Sequence, residues 1–184
     1  MTFQLAPRYR RPSLLITPFS PESVGQEMTN LTGAAPGAGG SAGYPSANRA
    51  LYFPFTLLDP FIIDKMFWAN GTVVSGNVDV GVYDSASTPN RLVSTGTTAQ
   101  ATVSVLQEVD ITNYTLSPGT YYLAIACDNV TATFWRTTQA AASLEVCGAA
   151  QQATAFVLPT TATFATIAGA YVPWFGISAR SLAA

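Results

Sequence analysis

Asn77-Val-Asp-Val-Gly-Val-Tyr-Asp84 places Val78, Val80 and Val82 at every second position, with Asn77, Asp79, Gly81 and Tyr83 between them. Side chains alternate across a strand, so this segment has one apolar face that needs a cover. The same alternation spreads outward on both sides. Upstream, Leu51, Phe53 and Phe55 alternate with Tyr52, Pro54 and Thr56, and Pro54 predicts an edge strand or a bulge. Phe61 to Trp68 is a second apolar run, closed by Asn70-Gly71, a pair that favours a tight two-residue turn.

Downstream, Asp84 to Asn90 reads as a turn, Arg91 to Thr95 as a strand, and Thr102 to Ile111 as a longer strand carrying Val103, Val105, Val109 and Ile111. Ser117-Pro118-Gly119 turns the chain into Thr120 to Cys127. There Tyr121, Leu123, Ile125 and Cys127 oppose Tyr122, Ala124 and Ala126, and the small second face predicts that another layer packs close over it. Val130 to Trp135 is one more strand. Ala140, Leu144 and Cys147 fall at helical spacing, which predicts a single short helix near 138–150. Phe156-Val157-Leu158 and Tyr171 to Ile177 return to extended chain. Short strands recurring after turn signals predict an all-β fold, an antiparallel β-sandwich of jelly-roll type, with an immunoglobulin-like order as the alternative.

Residues 1–48 read differently. Pro7, Pro12, Pro18, Pro21, Pro36 and Pro45, together with the glycine-rich tract from Gly33 to Gly43, predict an extended arm and linker ahead of a sandwich domain over 49–184. The arm carries apolar groups at Phe3, Leu5, Leu14, Ile16 and Phe19 and a basic cluster at Arg8, Arg10 and Arg11. A solubilising tail has no use for the apolar ones, so the arm is expected to lie along a neighbouring subunit.

Composition narrows the function. Hydrophobic residues are 48% of the chain and charged residues only 10%, against about 25% charged in ordinary domains. Such a surface suits packing against other chains. A net charge of −2 offers no basic footprint for nucleic acid. No export signal or spanning helix is visible, so the chain is expected to be made and kept in a cytoplasm until assembly, with Cys127 and Cys147 as buried free thiols.

The sequence holds no histidine, which removes the commonest general base and the Ser-His-Asp and Cys-His arrangements. No phosphate loop, four-thiolate zinc set or calcium loop is present, so no cofactor and no metal is expected. The remaining enzymatic route is a carboxylate pair drawn from Asp79, Asp84, Glu108, Asp110 and Asp128, all at strand ends or outward positions where solvated carboxylates are ordinary. No catalytic residue is assigned. Trp68, Tyr83 and Trp135 are the candidates for stacking on a glycan, a role that requires them to be exposed together on one rim.

Four stretches carry a resemblance: Lys65-Met-Phe-Trp-Ala-Asn-Gly71, Ser75-Gly-Asn-Val-Asp-Val-Gly-Val-Tyr-Asp84, Arg91-Leu-Val-Ser-Thr-Gly96 and Leu116-Ser-Pro-Gly-Thr-Tyr-Tyr-Leu-Ala124. Over Leu51 to Arg136 the chain resembles the sandwich domain of small structural proteins of tailed bacteriophages, the head-decoration and tail-appendage subunits, and Ala170-Tyr-Val-Pro-Trp-Phe-Gly176 has the same look. The resemblance implies a virion structural role with capsid, portal or tail subunits as partners, and it transfers no catalytic residue. The expectation is therefore a homo-oligomer, trimer favoured, assembled in a host cytoplasm and residing in the virion, with no nucleic-acid or membrane partner. A receptor- or glycan-binding module of a phage tail is the alternative.

Overall fold

The computed structural model describes residues 40–179 and the backbone of Met28 and Thr29. Its elements are β1 (Met28–Thr29), β2 (Gly40–Gly43), β3 (Arg49–Leu57), β4 (Phe61–Ala69), β5 (Asn77–Asp84), β6 (Arg91–Ser94), β7 (Thr98–Ala99), β8 (Leu106–Leu116), β9 (Gly119–Cys127), β10 (Thr133–Thr138), α1 (Ala141–Val146), β11 (Ala150–Gln152), β12 (Ala165–Thr166), β13 (Tyr171–Pro173) and β14 (Phe175–Ser178). The fold is all-β with antiparallel sheets and one short helix, as the alternation predicts.

The order of pairing explains the architecture. β3 pairs with β9, β4 with β8 and β5 with β6, all antiparallel, so the chain goes out through three strands and comes back beside itself as a two-chain ribbon. The ribbon rolls up until β9 also pairs with β5. One sheet is then ordered β12-β11-β3-β9-β5-β6 and the other β1-β14-β4-β8, with a small third sheet β13-β10-β2. Pairing a ribbon's outgoing strands with its returning ones is the jelly-roll wrap, here one level short of the full form.

The main core lies between the two large sheets. Leu51, Phe53, Phe55 and Leu57 of β3 and Val78, Val80 and Val82 of β5 meet Met66, Trp68, Phe175 and Ile177 in it, with the Phe53 and Phe175 ring centroids 5.8 Å apart. The opposite face of the first sheet is covered as well. Ala50, Tyr52, Tyr83, Ala124 and Ala126 form a second core with Ala155, Leu158 and Ala162. Residues 153–164 are thus a flap, the close-packed layer that the small residues of β9 predict. It crosses irregular backbone where Phe156 to Leu158 read as a strand.

Several expectations are corrected. The ordered body does not begin at residue 49: β2 pairs with β10 across Gly40 to Gly43, where the glycine tract read as a linker. Tyr44 is 2% exposed and donates hydrogen bonds to the carbonyls of Arg49 at 3.0 Å and Ile125 at 2.9 Å. Met28 and Thr29 pair with Ile177 and Gly176 of this same chain. The arm candidates Phe3, Leu5, Arg8, Arg10, Arg11, Leu14, Ile16 and Phe19 lie outside the described residues.

Asn70-Gly71 does not make a hairpin turn, and neither residue takes the positive φ such a turn requires. The chain passes there from one sheet to the other, and Asn70 is drawn inside by hydrogen bonding. Pro54 sits in a strand flanked on both sides, but β11 pairs only with Ala50, Leu51 and Tyr52, so at Pro54 the strand has a single neighbour, β9. The strand expected from Thr102 begins at Leu106, and the one expected from Val130 begins at Thr133. Val103, Val105 and Val130 fall in loops instead.

Candidate functional site

Strands β3, β5 and β9 set the two ends of the sandwich. β5 is 8 residues long, which places its ends about 25 Å apart at roughly 3.3 Å per residue. At the Asn77 end three loops converge: 70–76, 100–105 and 128–132. Loops gathered at one end of a rigid sandwich are a common place for recognition.

Backbone bonds tie these loops together: Asn70 N–H to Val105 O at 2.9 Å, Ser104 N–H to Gly71 O at 2.8 Å, Thr133 N–H to Val73 O at 2.9 Å and Gln100 N–H to Gly76 O at 3.0 Å. Beneath them runs a network of side-chain amides. Asn70, fully buried, accepts from Trp68 Nε1 at 2.8 Å and donates to Thr102 O at 3.0 Å and Gln107 Oε1 at 2.8 Å. Gln100, 8% exposed, accepts from Ser75 N at 3.0 Å and donates to Thr133 O at 3.1 Å. Each buried polar atom of such a network is costly unless paired, so a satisfied network fixes one loop arrangement.

Asp128 closes the network. Its carboxylate accepts from Asn77 N at 3.0 Å, Asn77 Nδ2 at 2.7 Å and Asn129 Nδ2 at 2.6 Å. Burial alone raises this carboxyl, but the donated bonds outweigh it and hold the pKa below the ordinary aspartate value. Gly76, at φ +61°, lies so close to Asp128 and Asn129 that a Cβ would collide with both side chains.

On this scaffold stand Val73 (43% exposed), Val103 (46%), Val105 (41%) and Val130 (54%). Asp128 is the only charged residue in 70–76, 100–105 and 128–132, and its charge is spent inside the network. These three loops therefore form a rigid surface tipped with apolar groups, with their one charge held in the network, and Arg49 stands at the same end where β3 begins opposite Cys127. Leu58 and Ile62 are also exposed, at the opposite end, but there Asp59, Asp64 and Lys65 stand beside them.

A second feature lies on the outer face of the first sheet near that opposite end. Residues 86–89 of the β5–β6 turn, Tyr122 of β9 and residues 162–164 of the flap line an open pocket of about 470 Å³. The flap that forms one wall is held by Asp79, which is fully buried. Asp79 Oδ2 accepts Leu158 N–H at 3.0 Å and Oδ1 accepts the Thr95 hydroxyl at 3.3 Å. Arg91 Nη1 stands 4.0 Å from Asp79 Oδ2 and donates to Leu158 O. Burial lifts the Asp79 pKa above the ordinary value, and the Leu158 N–H and the Arg91 guanidinium offset only part of the rise.

The residues singled out for glycan stacking do not share a rim. Trp68 and Tyr83 are both 0% exposed. Trp68 belongs to the main core and Tyr83 to the second one, where its hydroxyl donates to Pro159 O at 2.5 Å. Trp135 is half-buried on β10 in the third sheet. Alternation alone could not show that both faces of the first sheet are covered, which is what buries Tyr83.

The carboxylates are scattered. Asp84 caps its own turn by accepting from Ala86 N at 3.2 Å and Asn90 N at 2.9 Å. Asp110 pairs with Lys65 at 2.9 Å, and Glu108 lies two positions away on β8. Asp79 and Asp128 serve the flap and the loop end. Among the described residues no group of His, Cys, Asp and Glu could hold a metal ion. No described helix is long and apolar enough to cross a membrane. Both cysteines are free, with Cys127 buried and Cys147 half-buried. Burial pushes the Cys127 thiol up to about 11.

Sequence reading missed the amide network, because Asn70 was taken for a turn residue and Gln100 and Gln107 carry no local signal. It also missed the exposed valines, placing Val103, Val105 and Val130 within strands and giving Val73 no role. Compared with known proteins, the chain matches no family model, no curated protein and no solved structure.

Proposed function

We propose that this chain is a non-catalytic structural subunit of a virion of the tailed-bacteriophage kind, acting by adhesion in a head decoration or a neck or tail appendage. The observation that carries the reading is the Asn77 end: Val73, Val103, Val105 and Val130 are displayed on loops whose polar groups are already paired within the chain. Apolar tips on loops whose amides and one carboxylate are already hydrogen-bonded gain by being covered. Burying what remains exposed of each valine contributes about 1 kcal/mol, roughly half the value for a fully exposed side chain.

A rigid surface also lowers the cost of association, since little side-chain or loop freedom remains to be lost. The partner is a second copy of the chain in a closed ring, trimer favoured, with capsid, portal or tail subunits beyond it. The apolar groups of the arm, from Phe3 to Phe19, are a second contact element in this reading.

The test is a density-gradient separation of particles from lysates that express the chain in its native genomic setting, followed by detection of the chain across the fractions. The chain is expected to travel with assembled particles at a fixed ratio to the major shell or tail protein. Its recovery only in the soluble fractions overturns the virion role. Any truncation made to probe the arm should stop before Met28, because β1, β2 and Tyr44 belong to the folded body.

A further inference from the structure

The pocket on the outer face of the first sheet is separate from the valine-tipped end and answers to different chemistry. Its volume of about 470 Å³ falls within the range of about 300 to 1,000 Å³ typical of small-ligand sites. Tyr122 and Phe164 are half-buried in its wall, with ring centroids 4.6 Å apart and planes at 69°. Tyr52 supports Phe164 from beneath at 4.8 Å. Ser87, Thr88 and Thr163 are exposed around the rim. No charged residue lines the pocket.

The walls are built rather than loose. The Asp84 carboxylate pins the 86–90 turn, and Ala162 N–H donates to Pro89 O at 2.8 Å, joining turn to flap at the pocket floor. Asn90 and Thr161 form an isolated antiparallel bridge beside it. Gln152 Oε1 accepts both the Tyr52 hydroxyl at 3.0 Å and Thr163 N–H at 2.8 Å, which fixes the backbone that carries Thr163 and Phe164. Segments distant in sequence are thus locked around one opening.

Aromatic rings beside several hydroxyls, with no ionic group, suit a ligand that has an apolar ring face and a rim of hydroxyls. The geometry points to a binding site for one uncharged sugar unit of a glycan, stacked on Tyr122 and Phe164 and hydrogen-bonded by Ser87, Thr88 and Thr163. A hydroxyl both donates and accepts, and so matches a polyol. An anionic sugar would find no cation here. A proline-rich peptide would use the rings but offers the hydroxyl rim chiefly carbonyl acceptors and few donors, so it meets only half of what each hydroxyl can do.

The test uses the full chain and saturation-transfer NMR with a panel of neutral hexose, deoxyhexose and N-acetylhexosamine oligosaccharides. Acidic oligosaccharides and a proline-rich peptide are run beside them. At least one neutral sugar is expected to bind, with transfer to the ring protons of its stacked unit. Ser87→Trp, at an exposed turn position, should fill the opening and abolish binding while the urea midpoint stays unchanged. Thr163→Val combined with Ser87→Ala, which keeps the rings and removes two hydroxyls, should weaken binding about tenfold. Absence of binding by every neutral sugar overturns the assignment. So does binding that survives Ser87→Trp, or stronger binding of the acidic sugars or the peptide at this site.

Discussion

The loops at the Asn77 end and the flap over the outer face of β5 are held in place by opposite electrostatic means. At the Asn77 end the work is done by neutral amides and by a carboxylate, Asp128, that its donors stabilise. On the outer face of β5, two positions in from Asn77, the flap hangs on Asp79, a carboxyl whose burial raises its pKa while the Leu158 N–H it accepts offsets only part of the rise. A satisfied network resists opening, whereas a clamp that stores a desolvation cost is the first place to yield. The difference teaches that the valine-tipped end is a fixed surface and that the flap yields first at Leu158, while Gln152 and Pro89 still hold the stretch at 162–164 that lines the pocket.

The sharpest way to break this contrast is to remove the amide at its centre. Asn70→Ala leaves the Trp68 indole N–H and the Thr102 carbonyl without their partner. Each buried unpaired group costs about 1–3 kcal/mol, so urea denaturation should show a loss of about 3 kcal/mol. A loss below about 1 kcal/mol would mean that the loops do not depend on the network.

Gly81→Val probes the flap. A Cβ at Gly81 already stands 3.0 Å from Leu158 Cδ1, Ser94 Cβ and Val93 O, and overpacking of this kind costs about 1–3 kcal/mol. Hydrogen exchange at Leu158 and Ala162 should accelerate while the amides of Asn70 and Gln100 keep their protection. Equal acceleration in the flap and in the loops would show that the two regions open as one unit.

Acidity separates the two carboxylates by sign. The folded Asp79 pKa is raised, so as pH falls from neutral through that value toward the unfolded value of about 3.9, the native chain gains stability relative to Asp79→Asn. The folded Asp128 pKa is lowered, so its contribution is complete above the unfolded value and disappears as pH falls through the folded one. Against Asp128→Asn the native chain should therefore lose ground in acid. Stability curves at a series of pH values check both, and slopes of the same sign would dissolve the contrast.

The smallest effect concerns the thiols. With Cys127 buried and its pKa near 11, its thiolate fraction at neutral pH is about one in ten thousand. Alkylation of the native chain should modify the half-buried Cys147 first, and Cys127 only upon unfolding. Rapid labelling of Cys127 would place an opening at the Asn77 end, where its backbone pairs with Val78.

Much of the fold was legible because period-two alternation survives wherever one face of a strand is buried. Val78, Val80 and Val82, the Leu123 and Ile125 side of β9, and the Ala124 and Ala126 side that called for a second layer all read correctly. The helix was legible from Leu144, its one buried residue. What was lost depended on contacts distant in sequence. Asn70 looks like a turn residue until Gln107 and Thr102 are brought beside it, and the glycines of β2 look like a linker until β10 supplies hydrogen bonds. Tyr83 was a candidate for stacking because nothing near it in the chain reveals that residues 153–164 return over the sheet, and Trp68 because nothing near it shows which face of β4 meets the other sheet. Tyr122 and Phe164 line the pocket from strand and flap, 42 positions apart by subtraction of their numbers, so no local pattern could join them.

Sedimentation velocity of the intact chain beside a variant carrying Val73→Ser, Val103→Ser, Val105→Ser and Val130→Ser tests most directly whether the valine-tipped end is a contact surface. We expect the native chain to sediment as a discrete oligomer and the variant as a monomer with an unchanged urea midpoint. A native chain that is monomeric at every concentration, or a variant that associates as strongly as the native chain, would contradict the claim.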